Sequence, residues 1–171
     1  MSKLFLMMGA PGSGKSTYIK RFLTEKDIYI SRDKIRFSLL SEGEDYFAHE
    51  NEVFDTFIQS IKDGLQKYDR VFADASHLNQ SSRAKVINKV GQYANEINVI
   101  WLRTSLMECY KRNDNREGRE KVPKSTIKSM YDSIQEPSAK EGIDTVYIVD
   151  DKSKELKILE LGKSNKENFI F

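Results

Sequence analysis

The chain is 171 residues long, the size of one ordinary domain with a real core and too short for two. With 39% hydrophobic and 32% charged residues and only three prolines, its composition excludes a disordered tail, a collagen-like repeat and a disulfide-stapled scaffold. Lys and Arg number 28 against 26 Asp and Glu, so the net charge is only +2 and any basic binding surface has to be local.

The first apolar run, Leu4 to Met8, reads as a buried strand. It is too short for the apolar region of a signal peptide, and no segment approaches the roughly 20 apolar residues of a membrane helix. The single cysteine, Cys109, has no intrachain partner, which agrees with a reducing compartment. A cytoplasmic protein with no membrane partner is expected.

Directly after this strand stands Gly9-Ala10-Pro11-Gly12-Ser13-Gly14-Lys15-Ser16, followed by Thr17, and a helix is predicted over 15–25. A glycine-rich loop ending in Lys-Ser between a strand and a helix is the pattern that cradles phosphates on backbone N–H groups. Gly9, Pro11, Gly12, Ser13, Gly14, Lys15, Ser16 and Thr17 are therefore the predicted ATP-binding residues. Lys15 is expected at the β- and γ-phosphates, and the Ser16 hydroxyl on Mg²⁺. Asn88-Lys89-Val90-Gly91 lacks the Asp of a guanine-reading motif, and the chain is short for a mechanochemical ATPase. A compact phosphotransferase using ATP and Mg²⁺ is the better class.

A second strand, 28–30, leads into Ser31-Arg32-Asp33-Lys34-Ile35-Arg36 and a helix over 33–40. The end of a neighbouring parallel strand faces the same crevice as the phosphate loop. Asp33 then suits a general base that takes a proton from the acceptor hydroxyl, and Arg36, three residues on, suits an acceptor phosphate. On this motif alone the alternative stands equally, with Asp33 capping the helix and Arg36 a solvated charge. A long helix over 48–67 follows, with His49 at its start. The third strand, 70–73, delivers Asp74 to the same crevice, where it can hold a metal-bound water or support the acceptor. His77 and His49 are read as structural or surface residues.

Helices over 81–91, 105–113 and 124–135 surround a fourth strand at 97–102, and a fifth strand is predicted at 145–149. The charged run Lys111 to Lys121 is placed as a lid, about 112–123, that brings Arg112 and Arg116, spaced i,i+4 on one helical face, to the ATP phosphates as further ATP-binding residues. Ile127, Met130, Tyr131 and Ile134 read as helix core. The fold expected is α/β, a phosphate-loop phosphotransferase with about five parallel strands flanked by helices and an Arg-bearing lid. Residues 1–150 form its domain, and 151–171 form a C-terminal extension packed on it.

In order, Gly-x-Pro-Gly-Ser-Gly-Lys-Ser-Thr, Ser-Arg-Asp-x-x-Arg, Asp-x-x-x-Leu-Asn, Lys-Arg-Asn-x-x-Arg, then Val-Pro and Ser-Met-Tyr, the chain from residue 3 to about 150 resembles the 5′-hydroxyl polynucleotide kinases of bacteriophage and bacterial end-healing systems. These belong to the adenylate-kinase-like branch of P-loop phosphotransferases. The resemblance implies that Lys15 and Ser16 hold donor phosphates and metal, Asp33 is the general base, and Arg36 grips the acceptor's 3′-phosphate. It further implies that Asp74 supports the acceptor site and that Arg112 and Arg116 are lid residues, Arg116 nearest the transferring group. The implied substrates are ATP and the 5′-hydroxyl ends of DNA or RNA. Asp74-Ala75-Ser76-His77 departs from the Asp-Thr-Asn or Asp-Ala-Thr-Asn usual there, and the phosphatase motif Asp-x-Asp-Gly that some members carry is absent from the sequence. The two competing readings are a kinase of a small metabolite, nucleoside or mononucleotide, and a non-catalytic nucleotide-dependent binding protein.

Overall fold

The structure is a computed structural model that describes residues 1–162. In chain order it contains β1 (Lys3–Met8), α1 (Lys15–Lys20), β2 (Asp27–Ser31), α2 (Arg32–Leu39), α3 (Glu50–Lys67), β3 (Arg70–Asp74), α4 (Gln80–Val90), β4 (Glu96–Arg103), α5 (Leu106–Asp114), α6 (Lys124–Asp132), β5 (Thr145–Asp150) and β6 (Leu156–Glu160). The strands form one sheet in the order β2-β3-β1-β4-β5-β6. The first five are parallel and β6 pairs antiparallel to β5.

The apolar run of β1 places it centrally, because both of its faces have to be covered. Leu4, Leu6 and Met8 bury on one face against Phe57 and Ile61 of α3 and Val86 of α4. Phe5 and Met7 bury on the other, with Ile19 of α1, Phe72 and Ile100. Caps written in the sequence start two of the helices on the crevice side. Ser31 accepts a hydrogen bond from Lys34 N to open α2, and Asn79 with Ser82 forms a capping box at α4.

The boundaries differ from expectation in three places. The sheet has a sixth strand, drawn from the extension after Asp150. Its alternation of Leu156, Lys157, Ile158 and Leu159 marks a half-exposed edge strand rather than an apolar run. Residues 151–162 thus pack on the domain, and the remainder of the extension, 163–171, lies outside the described residues. Helix α1 stops at Lys20 because Asp27 captures the N–H and hydroxyl of Thr24, closing a turn that starts β2. Asp27 is itself held by Arg70 through two 2.6 Å bonds. Finally, α5 runs to Asp114, so Arg112 lies on a helix and not in the lid.

All parallel strands point their carboxyl ends at one edge, which gathers the loop after β1, the start of α2, Asp74 and the loop after β4 into a single crevice. A buried ion pair fixes one wall of it. Arg83 on α4 is fully buried, bonds Glu141 at 2.7 and 3.1 Å, and donates to the carbonyl of His77 at 3.0 Å. Among the described residues no helix is long and apolar enough to cross a membrane.

Removing Glu141 leaves a buried guanidinium without its counter-ion. Glu141→Ala is expected to cost about 3–5 kcal/mol in urea denaturation. The double variant Arg83→Leu with Glu141→Leu is expected to recover much of that loss, because no uncompensated charge remains.

Candidate active site

The loop Gly9–Ser16 is shaped by contacts that admit little but glycine. Gly12 has φ +83°, and a Cβ there would stand 2.8 Å from the Cys109 carbonyl oxygen of α5. A Cβ on Gly9 would meet the Ser13 hydroxyl at 2.3 Å, and Gly14, at φ +94°, opens α1. Pro11 is half-buried between these turns, Ser13 is buried, and Thr17 is exposed on the first turn of α1. Thr104, after β4, donates to the Ser13 carbonyl at 2.8 Å.

Lys15 reaches back across the loop and donates to the carbonyls of Gly9 at 2.8 Å and Ala10 at 3.3 Å. Burial lowers its pKa, and the nearby carboxylates of Asp74 and Asp33 work in the opposite direction. Both acids therefore face the same ammonium group, which brings the expected donor and acceptor residues into one cleft.

On the acceptor side Asp33 sits in the first turn of α2 with its side chain 64% exposed. It does not cap the helix, since Ser31 does. Arg36 is not a solvated charge either. Its residue is only 5% exposed, and its guanidinium donates to Asp33, to Tyr46 Oη at 2.8 Å, and to both oxygens of Glu50 at 3.0 Å. These partners, Asp33, Tyr46 and Glu50, occupy the guanidinium's donors. Arg36 thereby holds Asp33. Tyr46 donates a second bond to the same Asp33 oxygen at 2.9 Å. Burial first and the Asp33 charge second push the Tyr46 hydroxyl up to about 12, so it stays a donor. Arg32, also bonded to Glu50, lies at the rim of this cluster.

Asp74 ends β3 beside β1 and accepts a hydrogen bond from Tyr29 of β2. Burial and the Asp74 charge raise the Tyr29 pKa above the ordinary range, against smaller opposing contributions from the Ser31 and Ser16 hydroxyls. Ser16 and Asp74 thus both lie near one tyrosine hydroxyl. His77 is buried, with its Nδ1 2.8 Å from the Met7 carbonyl, which fixes Nδ1 as the protonated nitrogen. Burial lowers its pKa to about 4. His49 pairs with Glu44 at 3.1 Å, as a surface residue.

Arg112 bonds Glu108, the carbonyls of Gly12 and Ser13 at 3.4 and 3.2 Å, and Asp151 at 2.8 Å. It braces the phosphate loop from behind. Arg116 lies beyond the last turn of α5, so the two arginines do not share a helical face. Among the described residues no hydrogen bond or ion pair holds the Arg116 guanidinium, whose charge contributes to the lowered pKa of Lys15. The lid loop between is closed at its base by Asn113, which bonds Val122 O at 2.7 Å and Val122 N at 2.9 Å. At its tip Arg119 donates to the Ser41 carbonyl at 2.7 Å, joining the lid to the loop after α2.

The cleft fits ATP with Mg²⁺. The loop carries no side chain where Gly12 and Gly14 turn, the Lys15 ammonium lies across it, and Ser16 with Asp74 offers the oxygen donors that Mg²⁺ takes alongside phosphates.

Residues 4–137 match the family model described as AAA domain, which is more than half of the chain. The chain belongs to this family. Its phosphate loop stands in the strand–loop–helix setting of a nucleoside-triphosphate site, which implies ATP use with Mg²⁺. It is 29% identical over 164 residues to the L-seryl-tRNA(Sec) kinase of Methanococcus maripaludis, covering 92% of this chain and 62% of that protein. A chain of the Pnkp1/Rnl/Hen1 RNA repair complex superposes with a TM-score of 0.67 at 18% identity, over 96% of this chain and 50% of that one. A sugar kinase from Janibacter sp. HTCC2649 gives 0.60 at 14% identity, over 88% and 86%. The two structural matches establish the shared fold. The chain spans less than two thirds of the first two proteins.

Sequence reasoning missed Tyr29, Tyr46, Glu50, Asn113 and Asp151. The sheet order brings Tyr29 to Asp74 and Asp151 to Arg112, whereas Tyr46 and Glu50 fold back on α2 from the segment after it, and Asn113, though inside the Lys-Arg-Asn-x-x-Arg motif, acts on the lid base at Val122. Glu50, fourteen residues after Arg36, carries no signal beyond standing at the start of α3.

Gly12→Ala places a methyl group against the Cys109 carbonyl at a left-handed φ, and calorimetry is expected to show ADP affinity reduced about tenfold or more with the circular dichroism unchanged. His77, lowered from its unfolded value, is bound by protons more readily in the unfolded chain. Its contribution to stability is present above pH 6.5 and is lost as pH falls through about 4. Urea midpoints are expected to fall over that window by the equivalent of about 3 kcal/mol, and a His77→Asn variant, whose residue tolerates φ 47°, is expected to lose this slope.

Proposed function

We propose that the protein transfers the γ-phosphoryl group of ATP to the 5′-hydroxyl end of DNA or RNA. The observation that carries this reading is the exposed Asp33 carboxylate, held by Arg36 and Tyr46 at the crevice and facing the same ammonium as the phosphate loop. A base presented this openly suits a hydroxyl at the end of a long acceptor. The order of motifs from residue 3 to about 150 supports a polynucleotide over a metabolite.

When bound, ATP with Mg²⁺ supplies the transferable phosphoryl group and offsets part of its charge. Asp33 accepts the proton as the acceptor oxygen bonds to the γ-phosphorus and the bond to the β–γ bridging oxygen breaks, leaving ADP. Lys15 leaves the Gly9 and Ala10 carbonyls to meet the phosphates. Arg116, free of other partners among the described residues, turns to the charge that develops on the transferring group. Ser16 and Asp74 would hold Mg²⁺ on the donor side, with Tyr29 fixing the orientation of Asp74. The similarity to the seryl-tRNA(Sec) kinase favours a second reading, in which the acceptor hydroxyl belongs to an aminoacyl group on a tRNA.

Incubation with γ-labelled ATP and Mg²⁺ separates the readings. Label is expected on a 5′-hydroxyl oligonucleotide and not on one already 5′-phosphorylated, with affinity falling steeply as salt rises. Label on seryl-tRNA alone, or on a sugar or nucleoside alone, contradicts the proposal.

A further inference from the structure

Next to the acceptor acid lies a ladder of three aromatic rings whose outermost member the catalytic steps do not use. Phe37, half-buried on α2, meets the Tyr46 ring edge-on at 6.2 Å, and Tyr46 meets Phe47 edge-on at 4.8 Å. The first ring is anchored in the protein. The middle ring carries the hydroxyl bonded to Asp33 and the Arg36 guanidinium over its face at 4.4 Å. The last ring, Phe47, is 64% exposed.

A single exposed apolar side chain is ordinary. Phe47 differs in that the loop presenting it is fixed on both sides. Its own N–H donates to Asp45 Oδ1 at 2.9 Å, Ala48 N bonds Asp45 O at 3.0 Å, and Glu50 N bonds the Phe47 carbonyl at 3.3 Å. Arg119 of the lid holds Ser41 at the other end of the loop. The chain therefore bears the cost of ordering an aromatic ring in water, one ring away from the general base. Lys34, exposed on the same short helix as that base, offers positive charge for a backbone phosphate.

We infer that Phe47 is a stacking platform for a nucleobase within the first two nucleotides of the acceptor strand. This rests on the polynucleotide reading above and names the residue that makes such an acceptor better than a bare hydroxyl. Base stacking on an aromatic side chain is strong and indifferent to which base is present. It suits an enzyme that has to act on strand ends of any sequence. Tyr46 couples the two events, because a base seated on Phe47 presses on the ring that orients Asp33.

The test pairs the Phe47 variants with single-stranded 5′-hydroxyl acceptors that carry either a normal or an abasic nucleotide at the first or second position. The wild type is expected to lose about fivefold or more in kcat/KM when one of these bases is removed. Phe47→Ala is expected to show the same loss on the intact strand and no further loss on the abasic one, while Phe47→Trp keeps the preference. ADP affinity is expected to be equal in all three proteins. Two results overturn the inference, namely Phe47→Ala matching the wild type on the intact strand, or an equal loss on intact and abasic strands. If no strand is labelled by the wild type, the polynucleotide reading itself fails and this inference falls with it. A wild type that labels intact and abasic strands equally keeps that reading and removes the platform alone.

Discussion

The backbone of Gly12 lies directly against the Cys109 carbonyl of α5, closer than any side chain permits, and the rest of the site is built outward from that contact. It welds the phosphate loop to a helix rather than leaving it a free turn. The same helix sends Arg112 to the Gly12 and Ser13 carbonyls and Asn113 to Val122 at the base of the lid. Cys109 itself is a buried packing residue, its thiol pushed up by burial. The loop that receives phosphate and the segment that closes over it therefore share one rigid support.

The acceptor side follows a different logic. Its charges are organised before any substrate arrives, since Glu50 neutralises Arg36 and Arg32 while Arg36 and Tyr46 fix Asp33. Preorganised groups need little reorganisation at the moment of reaction, which is where electrostatic catalysis gains most. The lid touches this side as well, through Arg119 and the Ser41 carbonyl. Donor and acceptor halves are thus joined mechanically at the lid tip and electrostatically at Lys15.

The phosphate loop, Asp33 and Asp74 are legible in the sequence because each follows an apolar strand, and a parallel sheet necessarily brings such strand ends to one edge. The near-neutral total charge hid the convergence of arginines. Arg36 was legible as a site residue but its partner Glu50 was not, for Glu50 lies across a loop whose length and charge carry no pattern. Arg112 and Arg116 part because α5 ends at Asp114, a boundary that i,i+4 spacing alone does not fix. The sixth strand stayed hidden because an exposed edge strand needs no apolar run.

The division of labour between loop and acid is the centre of this account, and Asp33→Asn tests it most directly when nucleotide affinity and phosphoryl transfer are measured on the same protein. The account predicts unchanged ATP affinity by calorimetry and a fall in single-turnover transfer of about a hundredfold or more. Transfer within a few-fold of the wild type, or a parallel loss of ATP affinity, would contradict it.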